Sequence, residues 1–190
     1  MKTLIYLHGF LSSPQSSKAQ QTQQWLQDNA PEWRFLCPQL SSQPTETLVQ
    51  LKTLMANFDG DSPCFVGSSL GGFWATWLCE NYGGKAVLVN PAVAPHERLI
   101  HYIGQPHKSY YSDTLYVLTL ADLELMAQCD CVALKHPEKY RVMLQSGDEV
   151  LDYRQAMQRY HPCEQWFEEG GDHSFVGYAD YLPKILAFFE

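Results

Sequence analysis

The chain has 190 residues, 45% of them hydrophobic, which suffices for one well-buried core and sets the expectation of a single domain over residues 1–190. Its 13 Lys plus Arg are outnumbered by 21 Asp plus Glu, and the resulting charge of −8, with no basic run, argues against nucleic-acid or membrane partners. No stretch approaches the roughly 18 apolar residues of a membrane span, and Met1 to Leu7 run straight into His8-Gly9 without room for a removable signal. A soluble, cytoplasmic protein is expected.

Short apolar runs alternate with amphipathic ones along the chain, the pattern of a parallel sheet with crossover helices. Strands are expected at Thr3–Leu7, Arg34–Cys37, Cys64–Gly67, Ala86–Asn90, Arg141–Gln145 and Glu164–Phe167. Between the first two, Pro14–Asn29 reads as a helix ended before Pro31. After Pro44-Thr45, the spacing of Leu48, Leu51, Leu54, Met55 and Phe58 predicts a second helix, closed by Asp59-Gly60. Phe73, Trp74, Trp77 and Leu78 form the stripe of a third, which stops at Gly83-Gly84. Later helices are expected at Asp152–Tyr160 and along Tyr178 to Phe189. The interval 91–140 is too long for a simple crossover. It contains a helix near His96–Ile103, an irregular aromatic stretch at Gln105–Tyr116 and a helix opened by the capping box Thr119-x-x-Asp122. Two readings stand for it: a cap over the sheet's carboxyl edge, or an ordinary crossover helix with a meandering loop.

Six cysteines in a chain with its own core read as reduced, buried thiols rather than a disulfide scaffold. Cys129-Asp130-Cys131 lacks a second pair at zinc spacing, so neither metal nor cofactor is expected.

The chemistry-bearing motif is Gly67-Ser68-Ser69-Leu70-Gly71, a GxSxG pentapeptide between a predicted strand and a predicted helix. Glycines two positions either side of Ser69 permit the strained turn that pushes a nucleophilic hydroxyl into the open. Ser68, off the centre, is read as a neighbour. A serine nucleophile needs a base, and the base an orienting acid, in the chain order Ser, Asp or Glu, His. His173, on the Gly-rich turn Glu169-Gly170-Gly171-Asp172-His173 after the last strand, is the candidate base, because the other six histidines lie in another motif, in the interval or beside prolines. Asp148, first after its strand in Ser146-Gly147-Asp148-Glu149-Val150, is the candidate acid, with Glu149 and Asp152 as neighbouring alternatives. His8-Gly9-Phe10 resembles the turn that supplies an oxyanion donor, so the backbone N–H groups of Phe10 and Leu70 are expected to form that hole.

These segments, with Tyr6-Leu7-His8-Gly9-Phe10, Asn90-Pro91-Ala92 and Glu169 to Phe175, resemble the YqiA/YcfP-like esterase family of small bacterial α/β-hydrolases over nearly the whole chain. The resemblance implies an α/β-hydrolase fold, a doubly wound and mostly parallel sheet of about six strands with a small helical insertion at 91–140. It also implies a cytoplasmic esterase with Ser69, Asp148 and His173 as triad, acting on acyl esters or thioesters. Relative to larger α/β-hydrolases the chain lacks two preceding strands, which leaves open whether it forms a homo-oligomer.

The expected reaction is acyl transfer through an acyl-enzyme on a small-molecule ester or thioester. The alternatives are a non-catalytic ligand-binding protein on the same fold, and C–C or dienelactone-type hydrolysis. Tyr102, Tyr110, Tyr111 and Tyr116 either line an acyl pocket or anchor the insertion, and Arg98 and Lys108 are candidates for a phosphate-bearing leaving group.

Overall fold

The computed structural model describes residues 2–59 and 62–190; Gly60, half of the expected closure of the second helix, lies outside them. In chain order the elements are β1 (Thr3–Leu7), α1 (Ser17–Asn29), β2 (Arg34–Leu36), α2 (Pro44–Ala56), β3 (Cys64–Ser68), α3 (Leu70–Tyr82), β4 (Lys85–Val89) and α4 (Pro95–Arg98). They continue with β5 (Pro106–Lys108), β6 (Leu115–Val117), α5 (Leu120–Cys129), β7 (Tyr140–Gln145), α6 (Tyr153–Arg159), β8 (Glu164–Glu168) and α7 (Leu182–Phe189). Six strands form one parallel sheet in the order β2-β1-β3-β4-β7-β8.

The central strands are continuous apolar runs because helices cover both faces. Alternation along them divides the core. Ile5, Leu7, Leu88, Val142 and Leu144 pack with residues of α2, α3, α5 and α6, including Leu51, Trp74, Met126 and Ala156. Leu4, Tyr6, Val87, Val89 and Met143 pack on the other face with Ala19 and Leu26 of α1 and with Leu182, Ile185 and Phe189 of α7. Parallel pairing puts the ends of β1, β3, β4, β7 and β8 on one edge, where Ser68 faces Val89 and Gln145 faces Glu168. Ligands collect at such an edge in open α/β sheets.

The interval 91–140 divides between its two readings. α5 is a crossover helix with Leu123 and Met126 in the core. Its Thr119–Asp122 capping box forms as expected, and the Asp122 carboxylate also accepts from the Thr45 N–H and hydroxyl at the start of α2. Residues 95–111 instead contribute to the wall of the cleft at the sheet edge. The stretch expected to be irregular contains a hairpin, β5 paired antiparallel with β6. With three residues per strand and a proline in the first, it is too short to carry a period-two signal. Helix α1 begins later than expected, because Ser16 N–H bonds the Ser13 carbonyl in a turn before the first helical residue.

Among the described residues no helix is long and apolar enough to cross a membrane. All six cysteines are unbridged. Burial pushes the thiols of Cys64, Cys79, Cys131 and Cys163 up to about 11 and that of Cys37 to about 12, so they remain protonated at neutral pH.

Candidate active site

Ser69 stands between the end of β3 and the start of α3, with φ 56° and ψ −122°, a region disfavoured for a residue with a Cβ. The turn is held by its own backbone: Ser69 N–H donates to the Val89 carbonyl at 3.0 Å, and the Ser69 carbonyl accepts from Gly72 at 2.9 Å and Ala92 at 3.0 Å. It is also why the flanking residues are glycine. A Cβ at Gly67 would lie 2.3 Å from the Gly71 carbonyl oxygen, and one at Gly71 would lie 2.0 Å from that of Leu7. This close approach sets the first turn of α3 against the end of β1. Ser68 is the buried last residue of β3.

His173 Nε2 lies 3.1 Å from Ser69 Oγ, and its Nδ1 lies 2.9 Å from both Asp148 carboxylate oxygens. The Asp148 side chain is 1% exposed and that of His173 is 22% exposed. Burial pushes the Asp148 carboxyl up, but hydrogen bonds from His173 and from the Leu151 and Val150 N–H groups outweigh it and hold the group below the usual carboxylate range. The other two acids act elsewhere. Glu149 accepts the backbone N–H of His173 at 2.9 Å, and Asp152 caps α6 and pairs with Arg154.

A buried polar frame that the sequence did not reveal carries the histidine loop. Asn90 Nδ2 donates to the carbonyls of Asp172 and His173, and its Oδ1 accepts the Gln145 N–H. The Gln145 amide oxygen accepts from the N–H groups of Asp172 and Val176, and its Nε2 donates to Glu168 and the Val176 carbonyl. Both residues are polar positions at the ends of apolar strands, which is the one signal that marked them. We predict that Gln145→Leu, which leaves these groups unpaired, costs about 2–4 kcal/mol of stability in urea unfolding.

At the end of β1, His8 is 3% exposed and neutral in its role: Nε2 accepts the Leu40 N–H at 3.0 Å, so Nδ1 carries the proton toward the Gly9 carbonyl. Burial lowers its pKa, with the Gly9 bond opposing. The contribution of neutral His8 to stability is therefore complete above about pH 6.5, the unfolded value, and is lost as pH falls toward the depressed folded one. His8→Ala should cost about 1–3 kcal/mol at pH 7.5, by leaving the Leu40 amide unpaired. Urea midpoints should show a smaller cost at pH 5.5.

Phe10 follows this turn. The loop is tied to the hairpin: Ser109 Oγ and Tyr110 N–H both donate to the Leu11 carbonyl, and the His107 ring packs against those of Phe10 and Tyr102. Among the described residues, the N–H groups of Phe10 and Leu70 have no acceptor within the protein. Both residues line the same cleft as Ser69 and His173, a cavity of about 700 Å³. Positive φ at a residue other than glycine occurs at Leu11, Ser69, Asn90, Ala94 and Phe175, all in or beside this region, so backbone strain is gathered at the cleft.

Tyr102, Tyr110 and Tyr111 line the cleft, whereas Tyr116 is on β6 outside it. Of the two cationic candidates, Arg98 reaches the cleft but donates to the Val150 carbonyl, and Lys108 pairs with Asp113 outside it. Among the described residues no cluster of three or more His, Cys, Asp or Glu is arranged to hold a metal.

Sheet order, the strand-turn-helix around Ser69 and the groups gathered at the carboxyl edge define an α/β-hydrolase fold. Comparison with solved structures agrees. The chain superimposes over its full length on 88% of a putative hydrolase from Agrobacterium vitis S4, with a TM-score of 0.79 at 18% identity. It superimposes over 99% on 88% of Est1E from Butyrivibrio proteoclasticus with ferulic acid bound, at 0.71 and 11%. Residues 3–190 match the model of the Uncharacterised protein family (UPF0227), and the chain belongs to this family. It is 30% identical over 194 residues to the UPF0227 protein Shewmr7_1806 of Shewanella sp. MR-7, covering 97% of this chain and 98% of that one. It is 29% identical over 195 residues to the UPF0227 protein YcfP of Salmonella gallinarum, covering 97% of each. The resemblance read from the motifs is thus to the right family.

Proposed function

We propose that the chain is a serine hydrolase that cleaves carboxylic esters or thioesters through an acyl-enzyme. The observation that carries the reading is the unbroken series from Ser69 Oγ to His173 Nε2 and from His173 Nδ1 to the buried Asp148 carboxylate. In this reading Asp148 keeps the His173 proton on Nδ1, which leaves Nε2 free to take the Ser69 proton as Oγ attacks the acyl carbonyl. The N–H groups of Phe10 and Leu70 receive the oxyanion, and each such donor is worth about 10²- to 10³-fold in rate. His173 then protonates the leaving oxygen or sulfur. Water, deprotonated by the same nitrogen, attacks the acyl-serine and releases the acid, so the cycle needs no metal or cofactor.

The apolar wall formed by Phe10, Val93, Leu99 and Tyr102 favours an acyl chain of moderate size. The intact serine-histidine-aspartate series gives the alternative of a purely ligand-binding protein no missing member to rest on. The test is acid quench of a reaction with 4-nitrophenyl butyrate and with its thiophenyl analogue, followed by peptide mass mapping. A butyryl adduct on the peptide containing Ser69, with turnover of either substrate, supports the reading. An adduct elsewhere, or none with no turnover, removes it.

A further inference from the structure

The wall of the cleft beside His173 carries a cation that the proposed acyl-transfer machinery does not use. Lys18 is in the first turn of α1, on the opposite face of the sheet from the cluster to which Phe10, Val93 and Leu99 belong. It lines the cleft with Ser16, Ser17 and Gln21. Its Nζ spends one donor on the carbonyl of Ser174, the residue after His173, at 2.9 Å. Asp172 and Asp148 act on it through space, yet among the described residues no carboxylate lies within 4.0 Å of it.

This placement opposes stability twice. A cation in the first turn of a helix meets the positive end of the helix dipole, and α1 has no acidic residue in that turn to offset it. Partial burial of the ammonium disfavours its charged form. Nearby, the Ser16 hydroxyl oxygen, also in the cleft wall, is buried without a hydrogen-bond partner. Side chains set against local preference in this way mark places where a ligand completes the interactions.

Resting on the serine-hydrolase reading above, we propose that Lys18 and Ser16 form a subsite for an anionic group, a carboxylate or a phosphate, on the leaving alcohol or thiol of the substrate. The side of the reaction follows from the mechanism. His173 must deliver its proton to the leaving atom, so the leaving group lies along the His173 flank, and Lys18 is bonded to the next residue of that flank. The acyl chain takes the apolar wall on the other face of the sheet. Two remaining N–H donors of Lys18 and the Ser16 hydroxyl supply the contacts that a carboxylate or phosphate accepts.

The experiment compares kcat/KM for phenyl acetate, 4-acetoxybenzoate and 4-acetoxyphenyl phosphate in the wild type, Lys18→Met and Lys18→Arg. Calorimetric binding of the products 4-hydroxybenzoate and 4-hydroxyphenyl phosphate is measured alongside. Lys18→Met should lower the anionic-to-neutral selectivity ratio by roughly 10- to 100-fold, the range of one charge-assisted hydrogen bond. Lys18→Arg should keep most of it, and the anion whose ratio and binding fall further is the one the subsite takes. A ratio that stays constant, with all three esters slowed together, overturns the proposal and leaves Lys18 as an anchor of Ser174. If no ester is turned over but product binding still depends on Lys18, the subsite stands and the hydrolase reading fails. If esters are turned over through Ser69 and neither product binds through Lys18, the reverse holds.

Discussion

Ser69→Ala is expected to lower kcat for ester hydrolysis by about 10⁴-fold or more while the chain remains folded, because removing a nucleophile abolishes the covalent route and leaves only binding and oxyanion contacts. Ser69→Gly extends the prediction. The native φ of 56° holds a Cβ in a disfavoured region, at a cost of about 1–3 kcal/mol. Glycine removes that strain and gives back about 0.5–1 kcal/mol through the greater freedom of the unfolded chain. The glycine variant should therefore be inactive and as stable as the wild type, or more stable by up to about 2.5 kcal/mol in urea unfolding. A glycine variant less stable than the alanine variant would show that the turn is not strained by the serine.

Asp148→Asn is the second large effect. The asparagine is isosteric, and its amide can donate to His173 Nδ1. That contact places the imidazole proton on Nε2, which then cannot take the Ser69 proton. A fall in kcat of about 10³- to 10⁴-fold is expected, with little change in KM. Glu149→Gln retains an oxygen that can accept the His173 backbone N–H, and Asp152→Asn affects a helix cap, so both should fall less than about tenfold. Steady-state kinetics on the three variants separates the candidate acids. A loss with Glu149→Gln as large as with Asp148→Asn would reassign the acid. Because hydrogen bonds from His173 and the Leu151 and Val150 N–H groups hold Asp148 below the usual carboxylate range, it is ionised at neutral pH. Its stabilising effect is present above the ordinary carboxylate value and is lost only as pH falls through the depressed one.

The six strands were legible because each central one is an apolar run bounded by Gly, Pro, Asn or Ser, and every expected strand matches an observed one to within a residue at each end. The juxtaposition of Ser69, Asp148 and His173 was legible through motif and chain order. The frame behind them was not. Asn90, Gln145, Glu149 and His8 act through contacts between strands and loops far apart in sequence, and such contacts leave no period in the chain. Glu149 was weighed as a rival acid, whereas it accepts the backbone N–H of His173. Lys18 was hidden in the polar face of α1, where a lysine is ordinarily solvated; only the fold brings it to Ser174. The interval 91–140 could not be decided from sequence because it does both things, giving one helix to the core and the residues before that helix to the cleft.

The central claim, that Ser69 is a nucleophile activated by His173, is tested most directly by intact-mass detection of labelling with a fluorophosphonate. The wild type should gain one adduct per chain, Ser69→Ala none, and His173→Ala should label at a much lower rate. Equal labelling of the wild type and Ser69→Ala, or no labelling of the wild type, would contradict it.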